Sequence, residues 1–237
     1  LRAGKNLVGA FHQPRLVLAD PRVLATLPDR ELRAGLYEAI KCGIIRSPAL
    51  FDFVERQRQR LLKKDPAALA ELVRQCVEIK AWVVGRDEKE SGLRRILNFG
   101  HTVGHALEAE TRYRRFLHGE AVAWGMRAAT LIAEENGLLR RPEAARIHKL
   151  VSGLGPLPPV VHVPAARLEA RLRADKKTRA GVVHFVLPER IGKVRIVSGV
   201  ELASVVRALD RLRVGALLAA PVLSGVNGET RVRRERP

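Results

Sequence analysis

The sequence predicts a mainly α-helical fold that carries one small β-hairpin. Apolar residues recur at helical spacing through the first two thirds of the 237 residues, and prolines separate the helical stretches. After the glycine- and proline-rich segment 153–159, the pattern changes to a helix, two short strands and a final helix. A chain of this size buries roughly 70% of its unfolded surface, so it needs neither disulfide nor structural metal to fold.

Each element follows from local signals. Residues 15–19 form a short apolar run that predicts a buried strand, and Asp20-Pro21 predicts a turn or a helix start. Residues 28–45 are predicted helical, with Asp29 as the N-cap. Further helices are predicted at about 48–62, 65–85, 94–110, 119–136, 141–152, 165–174 and 200–212, and strands at 182–187 and 193–198. The hairpin should pack on the helices, because an isolated hairpin is only marginally stable.

The charge balance is strongly positive, with 43 Lys plus Arg against 25 Asp plus Glu. Such an excess is typical of proteins that bind polyanions. The arginines are scattered along helical faces, however, and aromatic residues make up only 4%. Nucleic acid is therefore not favoured as a partner. Arginine outnumbers lysine 33 to 10, which suggests that the remaining lysines stand where a compact charge is needed, notably at Lys5, Lys41, Lys80, Lys176 and Lys177.

Cysteine usage and hydropathy indicate the compartment. Cys42 and Cys76 are too few for a disulfide framework. The start of the chain has no signal-peptide pattern, and the apolar tract near the C-terminus is interrupted by Pro221. We therefore expect a soluble, cytoplasmic protein without a membrane partner.

Three of the seven histidines, His101, His105 and His118, lie within 18 residues. His101 and His105 are spaced i, i+4, which places both on one helix face. Zinc metalloproteases use the same spacing but need a glutamate directly after the first histidine, where this chain has Thr102. A lone histidine is commonly satisfied by hydrogen bonds in the core. A cluster of three with flanking glycines instead favours a metal site.

A catalytic metal site takes about three protein ligands and keeps one position open. Histidines alone could supply it, or a carboxylate from another helix could complete a His-His-Glu set. Glu38 is a candidate because its neighbours are apolar, although Lys41 one turn later also fits an ordinary ion pair. Asp87, Glu88 and Glu90 are either acid/base groups or a solvated run of charges.

Six sequence blocks together form a specific pattern: Gly4-Lys5-Asn6-Leu7-Val8-Gly9-Ala10-Phe11-His12-Gln13-Pro14, Thr26-Leu27-Pro28-Asp29-Arg30-Glu31, Glu38-Ala39-Ile40-Lys41, Asn98-Phe99-Gly100-His101-Thr102-Val103-Gly104-His105-Ala106, Leu117-His118-Gly119-Glu120-Ala121-Val122 and Asp175-Lys176-Lys177. These blocks resemble the 3-dehydroquinate synthase family, in family order and with family-like spacing. The resemblance covers about residues 4–212. Together the blocks are far more specific than any one of them.

The resemblance implies the domain organisation. Residues 21–212 would form the helical metal- and substrate-binding C-terminal domain of the dehydroquinate synthase-like α/β fold. Residues 1–20 would be a remnant of the N-terminal NAD-binding domain, which is largely absent, and residues 213–237 a weakly ordered basic tail. No glycine-rich phosphate loop follows a strand in the sequence, so we expect the chain to be truncated and not to hold NAD tightly by itself.

The resemblance also implies an activity. Members of the family are phosphate-eliminating cyclases of the shikimate pathway that convert 3-deoxy-D-arabino-heptulosonate 7-phosphate into 3-dehydroquinate, with NAD and one divalent metal, zinc or cobalt. The partner would be a small anionic sugar phosphate, and the full-length protein would be a homodimer. The alternatives are a sister sugar-phosphate cyclase, such as a valiolone or inosose synthase, and a non-catalytic helical module that binds anions or RNA.

Site residues are implied position by position. The metal ligands would be Glu38, His101 and His118. His105 would transfer protons and contact substrate rather than bind the metal, and Glu90 and Lys41 would be the other catalytic groups. Substrate-contacting positions would be Lys41, Lys80, Arg94, Asn98, His105 and Lys176. Nucleotide-contacting positions would be Lys5, Val23, Leu24, Ala25 and Thr26.

Overall fold

The computed structural model of the chain describes residues 12–178 and 183–218. Within these residues the fold is mainly helical and carries one antiparallel hairpin, as predicted. The helices are α1 (Asp29–Arg46), α2 (Pro48–Leu62), α3 (Pro66–Arg86), α4 (His101–Glu110), α5 (His118–Glu135), α6 (Arg141–Gly153), α7 (Ala165–Thr178) and α8 (Leu202–Leu218), the strands are β1 (His184–Arg190) and β2 (Lys193–Ser198), and two 3-10 helices cover Pro21–Thr26 and Leu93–Asn98.

Helix α5 is the centre of the core. Every residue of 119–133 except Arg127 is buried, because this stretch is largely apolar around the whole helix, as expected for a helix surrounded by other elements. Helices α1, α4, α6 and α8 and strand β1 pack around it. Trp124 is 2% exposed and donates its indole N–H to the Pro158 carbonyl at 2.9 Å. This part of α5 is therefore held inside the fold, whereas the His118 side chain at its first residue remains partly exposed.

Helices α4 and α5 approach each other so closely that glycine is required. A Cβ atom at Gly125 would lie 1.8 Å from the carbonyl oxygen of Gly100. Gly100 itself has a φ of +79°, in the left-handed region that glycine adopts without strain. Because Gly100 directly precedes α4, this contact sets the direction in which His101 leaves the backbone.

The hairpin packs on the helical body, as predicted. The N–H of Gly192, in the turn between the strands, donates to the Ile44 carbonyl at 2.9 Å. The Thr102 hydroxyl donates to the His184 carbonyl at 3.2 Å. One end of the hairpin is thus attached to α1 and the other to α4, beside the histidines.

The predicted strand at residues 15–19 is wrong. These residues form no strand, and Leu16 and Leu18 are 73% and 86% exposed. Among the described residues the only sheet is the hairpin, so this apolar run has no strand beside it with which to pair. The turn or helix start predicted at Asp20-Pro21 is the start of the 3-10 helix Pro21–Thr26, where the Asp20 side chain accepts a hydrogen bond from the Arg22 N–H at 3.0 Å.

Two helix boundaries also differ from the prediction. The helix predicted at 94–110 is divided at Gly100 into a 3-10 helix and α4, because the left-handed residue breaks the helical path. Asp29 is the first residue of α1, and Pro28 holds the cap position.

Helix α8 continues past 212 to Leu218. Residues 219–237 of the predicted tail and residue 182 of the first predicted strand lie outside the described residues. None of the described helices is both long and apolar enough to cross a membrane.

Candidate functional site

Three histidine rings meet where α4 and α5 begin. His101 is the first residue of α4, His105 follows one turn later, and His118 is the first residue of α5. Their ring centroids are 5.1 to 5.8 Å apart. One nitrogen from each ring lies within 4.8 Å of the others. Clustered imidazole nitrogens are donors that suit zinc and similar divalent metals.

Two of these rings are oriented by an oxygen at Nδ1. His101 Nδ1 lies 3.1 Å from the Phe99 carbonyl oxygen, and His118 Nδ1 lies 3.2 Å from Oε2 of Glu108. Glu108 is only 3% exposed. A carbonyl or carboxylate at one ring nitrogen favours the tautomer that leaves Nε2 available to a metal.

The electrostatic surroundings keep His101 neutral. Burial, together with the nearby positive charge of Lys41, lowers the pKa of His101 to about 4. A neutral imidazole is the form that binds metals, so His101 needs no deprotonation at neutral pH.

Glu38, in α1, lies near enough to the cluster for His101 and His118 to affect its ionisation, although the group of ligand atoms within 4.8 Å of one another comprises the three histidines without Glu38. Its Oε2 accepts a hydrogen bond from Lys41 Nζ at 2.6 Å, whereas its Oε1 is buried without a hydrogen-bond partner among the described residues. Burial opposes ionisation, but Lys41 and the two neighbouring histidines, His101 and His118, outweigh it and hold the pKa of Glu38 below its usual range. A buried carboxylate oxygen without a partner is costly, and a cation at Oε1 would remove that cost. The residues present therefore fit a divalent metal.

Two cavities meet at the cluster. The larger cavity, about 770 Å³, includes His105 in its wall, and the smaller, about 580 Å³, includes Glu38 and Lys41. The predicted residues that line the smaller cavity are Leu24, Glu38, Lys41, Lys80, Glu90, Arg94, Asn98 and His101. Glu90, Asn98 and His101 line both cavities. The structure thus brings together most of the residues that the sequence singles out.

A tight loop after α3 presents Glu90 to both cavities. Asp87, 7% exposed, accepts hydrogen bonds from the Gly92 and Arg94 N–H groups at 2.8 Å, and these bonds hold its pKa well below the usual range. Glu90 has a φ of +59° and accepts a hydrogen bond from the Asn98 amide at 2.7 Å. The acidic run is therefore divided in function: Asp87 shapes the loop, and Glu90 faces the site.

Sequence reasoning does not assign a role to two buried carboxylates. Glu108 contacts His118, as described above. Glu120 accepts the Leu117 N–H at 2.9 Å and pairs with Arg30 at 2.7 Å, which fixes the start of α5. The available signal for Glu108 is its spacing, since it follows His101 by seven residues and so lies on the same face of α4.

Some predicted site residues are not tested by this geometry. Lys5 lies outside the described residues. The backbone of Lys176 belongs to α7, but its side chain is not among the described parts of the chain. Residues 23–26 belong to the 3-10 helix Pro21–Thr26, in which Leu24 lines the smaller cavity and Val23 is 70% exposed.

Fold and site together define a helical domain with a cavity lined by lysine and arginine side chains. This cavity adjoins a histidine cluster whose nitrogen donors suit a catalytic metal site. Sequence comparison agrees: the family profile described as 3-dehydroquinate synthase C-terminal matches residues 35–178, and the profile described as 3-dehydroquinate synthase N-terminal matches residues 1–34. The chain belongs to the 3-dehydroquinate synthase family. The predicted resemblance is confirmed, while the domain boundary predicted at residue 20 stays a prediction.

Individual relatives support the same family. A 3-dehydroquinate synthase of Koribacter versatilis is 56% identical over 215 residues, which cover 90% of this chain and 58% of the relative. One of Solibacter usitatus is 53% identical over 201 residues, which cover 85% of this chain and 56% of the relative. The chain thus spans less than three fifths of the length of these relatives.

Solved structures of related cyclases have the same fold. The 2-epi-5-epi-valiolone synthase ValA from Streptomyces hygroscopicus, with NAD⁺ and Zn²⁺ bound, matches with a TM-score of 0.77 and 32% identity, over 90% of this chain and 59% of ValA. A 2-deoxy-scyllo-inosose synthase complexed with carbaglucose-6-phosphate, NAD⁺ and Co²⁺ matches with a TM-score of 0.76 and 26% identity, over 89% of this chain and 59% of that chain.

Proposed function

We propose that this chain supplies the metal- and substrate-binding part of a 3-dehydroquinate synthase, which cyclises 3-deoxy-D-arabino-heptulosonate 7-phosphate to 3-dehydroquinate with loss of phosphate. The observation that carries the proposal is Oε1 of Glu38, which is buried and has no hydrogen-bond partner in the part of the chain that the structure describes, while Lys41 and two oriented histidines influence the same carboxylate. The identity of 56% to a curated 3-dehydroquinate synthase supports this reaction over that of a sister cyclase.

Glu38, His101 and His118 would hold the metal. When bound, a zinc or cobalt ion supplies Lewis-acid polarisation of a substrate hydroxyl. Lys41 engages Oε2 of Glu38, and Oε1, which has no partner among the described residues, would be the oxygen available to the metal. His105 lines the larger cavity and is exposed, which suits a group that exchanges protons with substrate rather than one that serves as a closed ligand.

Lysine and arginine side chains would bind the anionic groups of the substrate. Lys41, Lys80 and Arg94 all line the smaller cavity. Lys41 is 5% exposed and donates one N–H to Glu38. An ammonium group has three N–H donors, so two of them remain for a carboxylate or phosphate of the substrate. Such charge-assisted hydrogen bonds are strongest where water is excluded. Asn98, which already holds Glu90, would orient that carboxylate towards the substrate.

The described residues do not by themselves form an NAD-binding site. Leu24 offers an apolar wall to the smaller cavity, but no glycine-rich phosphate loop between a strand and a helix lies in residues 12–178 or 183–218. No step is therefore assigned to the nucleotide. A homodimeric full-length protein and a cytoplasmic location stay predictions.

A chimera tests the proposed reaction. This chain replaces the matching portion of the Koribacter versatilis relative, and the purified chimera is supplied with zinc and NAD. It should release phosphate from 3-deoxy-D-arabino-heptulosonate 7-phosphate and form 3-dehydroquinate. Turnover only of a hexose phosphate or of another seven-carbon phosphate would identify a sister cyclase. A folded, metal-loaded chimera inactive on all of them would overturn the proposal, and salt-dependent RNA binding without metal would favour the non-catalytic module.

The lysine assignment is tested in the same chimera. Lys41→Met should lower kcat/KM by about tenfold to a few hundredfold, because a lost charge-assisted hydrogen bond is worth roughly 1.5–3 kcal/mol. The bound metal should not decrease, since the variant removes a positive charge beside it. Lys63→Met is the matched control, because Lys63 is exposed at the end of α2. If both variants behave alike, Lys41 serves only as the ion-pair partner of Glu38.

A further inference from the structure

The two cysteines of the chain face each other across two helices. Cys42 lies in α1 and Cys76 in α3, and their thiols are joined by a hydrogen bond. Both are reduced and partly exposed, and both line the smaller cavity. A disulfide requires the two sulfurs to approach to about 2 Å, and thiols within hydrogen-bonding reach on two packed helices are positioned for that approach. An oxidant the size of a peroxide can reach them through the cavity.

The pair is embedded among the cations of the site. Lys41 directly precedes Cys42, and Lys80 follows Cys76 by one helical turn, so both lysines line the same cavity as the thiols. Positive charges beside a thiol favour the thiolate, which is the reactive form. Disulfides that form in reducing compartments are usually transient and serve catalysis or redox sensing.

We propose that Cys42 and Cys76 form a redox-active dithiol that a hydroperoxide closes to an intramolecular disulfide. The Cys42 thiolate attacks the peroxide O–O bond, which yields a Cys42 sulfenic acid and an alkoxide that takes up a proton as the alcohol. The Cys76 sulfur then attacks the Cys42 sulfur, and the hydroxyl group leaves with the Cys76 proton as water. Overall, two thiols and one hydroperoxide give one disulfide, one alcohol and one water, so the sulfurs lose the two electrons that the peroxide gains.

The surroundings distinguish the two sulfurs. The hydrogen bond from Cys76, helped by Lys41 and Lys80, lowers the pKa of Cys42 against the opposing effect of burial. The same hydrogen bond and burial raise the pKa of Cys76. These effects favour Cys42 as the attacking sulfur and Cys76 as the resolving one. The disulfide would tie α1 to α3 between the two lysines.

The test uses the 237-residue chain and hydrogen peroxide. Three samples are compared: the reduced chain, the chain treated with peroxide, and the treated chain after reduction with dithiothreitol. Each sample is denatured and alkylated with iodoacetamide, and its mass is measured by intact-protein mass spectrometry. Because the chain has only two cysteines, the treated monomer should accept no alkyl group and be lighter than the reduced, unalkylated chain by two hydrogens. Dithiothreitol should restore two alkylation sites.

Serine variants provide the matched controls, since serine keeps a hydrogen-bond donor at each position. Cys76→Ser should stop at the sulfenic acid of Cys42, which a dimedone adduct would report, whereas the lone thiol of Cys42→Ser should react more slowly. Two alkyl groups on the peroxide-treated chain would overturn the proposal. So would a sulfinic acid without an intramolecular disulfide, or a disulfide that forms only between two chains. This thiol readout does not depend on metal, substrate or the proposed reaction.

Discussion

At the scale of single residues, the orientation of the histidines depends on oxygen atoms that lie outside the predicted ligand set. The Phe99 carbonyl holds His101, and the Glu108 carboxylate holds His118. Both contacts are made through Nδ1, so both rings turn the same nitrogen, Nε2, away from the partner that orients them. The ligand assignment and its supporting contacts can therefore be tested separately.

The ligand set is tested by metal content. His118→Ala should lose stoichiometric zinc, because it removes one of three proposed ligands, whereas His105→Ala should retain it. Elemental analysis of the purified chains after dialysis measures both. All three imidazoles lie close enough to share a metal, so equal loss in the two variants would show that His105 is a ligand too.

Glu108 should act as a positioning residue for His118. Glu108→Gln weakens the acceptor at Nδ1, and changes of this kind typically cost 10- to 100-fold in metal affinity. Competition against a chelator gives the affinity for zinc, and the cobalt absorption spectrum reports the geometry. Glu110→Gln is the control, because Glu110 lies on the same helix but pairs with Arg167 and Arg171. Equal affinity in the two variants would contradict the positioning role.

At the scale of elements, the contact between α4 and α5 brings the histidines together. Gly100, Gly104 and Gly125 form this contact, and Cβ atoms at these positions would each meet backbone of the other helix at 3.1 Å or less. At the start of α5, Gly119 packs on α1, where a Cβ would lie 2.0 Å from the Ala34 carbonyl oxygen. The glycines beside the histidines are thus needed for helix packing, which in turn fixes the distances within the site.

Substitution of the central glycine should destabilise the fold. Gly125→Ala places a Cβ 1.8 Å from the Gly100 carbonyl oxygen, so α4 and α5 must separate, at a cost of about 3 kcal/mol or more. Urea unfolding followed by circular dichroism measures the change. Gly85→Ala, exposed in α3 with nothing within 4 Å of the new Cβ, should leave stability unchanged or raise it by up to about 1 kcal/mol. Similar midpoints for the two variants would disprove the close packing.

At the scale of the whole molecule, stability should fall on mild acidification. His148 is packed in the body with both ring nitrogens lacking a hydrogen-bond partner among the described residues. Burial and the charges of Arg127 and Arg211 lower its pKa to about 4, whereas the unfolded chain binds that proton near pH 6.5. The folded state therefore binds fewer protons between these values, and the stability present above about pH 6.5 is lost as the pH falls towards 4.

His148→Leu should reduce this acid sensitivity. The leucine fills similar space and leaves no hydrogen bond unmade, so the variant should lose about 2 kcal/mol less than the parent between pH 7.5 and pH 5. Urea unfolding of the metal-free chains at both pH values gives the difference. His101, with its pKa also lowered to about 4, contributes equally to both chains and cancels. Parallel losses in the two chains would mean that His148 is not the titrating group.

Local patterns determined most of the secondary structure, because helix signals act over a few residues. Helices α2 and α3 begin at Pro48 and Pro66, within one residue of the predicted starts, and the Ser47 and Asp65 side chains each accept a backbone N–H there. The same holds for the candidate site where residues are near in sequence: the i, i+4 spacing of His101 and His105 brings their rings to 5.2 Å. The family motifs supplied the longer-range expectation that Glu38 and His118 join them.

Only the tertiary structure decided which partners these residues meet. Leu16 and Leu18 are exposed because no strand among the described residues lies beside them. The presence of a neighbouring strand cannot be predicted from the apolar run itself. The contact of Glu108 with His118 and that of Cys42 with Cys76 arise because separate helices pack together. The contact of Glu108 with His118 depends on the distance between α4 and α5, which the glycine contacts set by steric exclusion, and no periodicity within one segment encodes that distance.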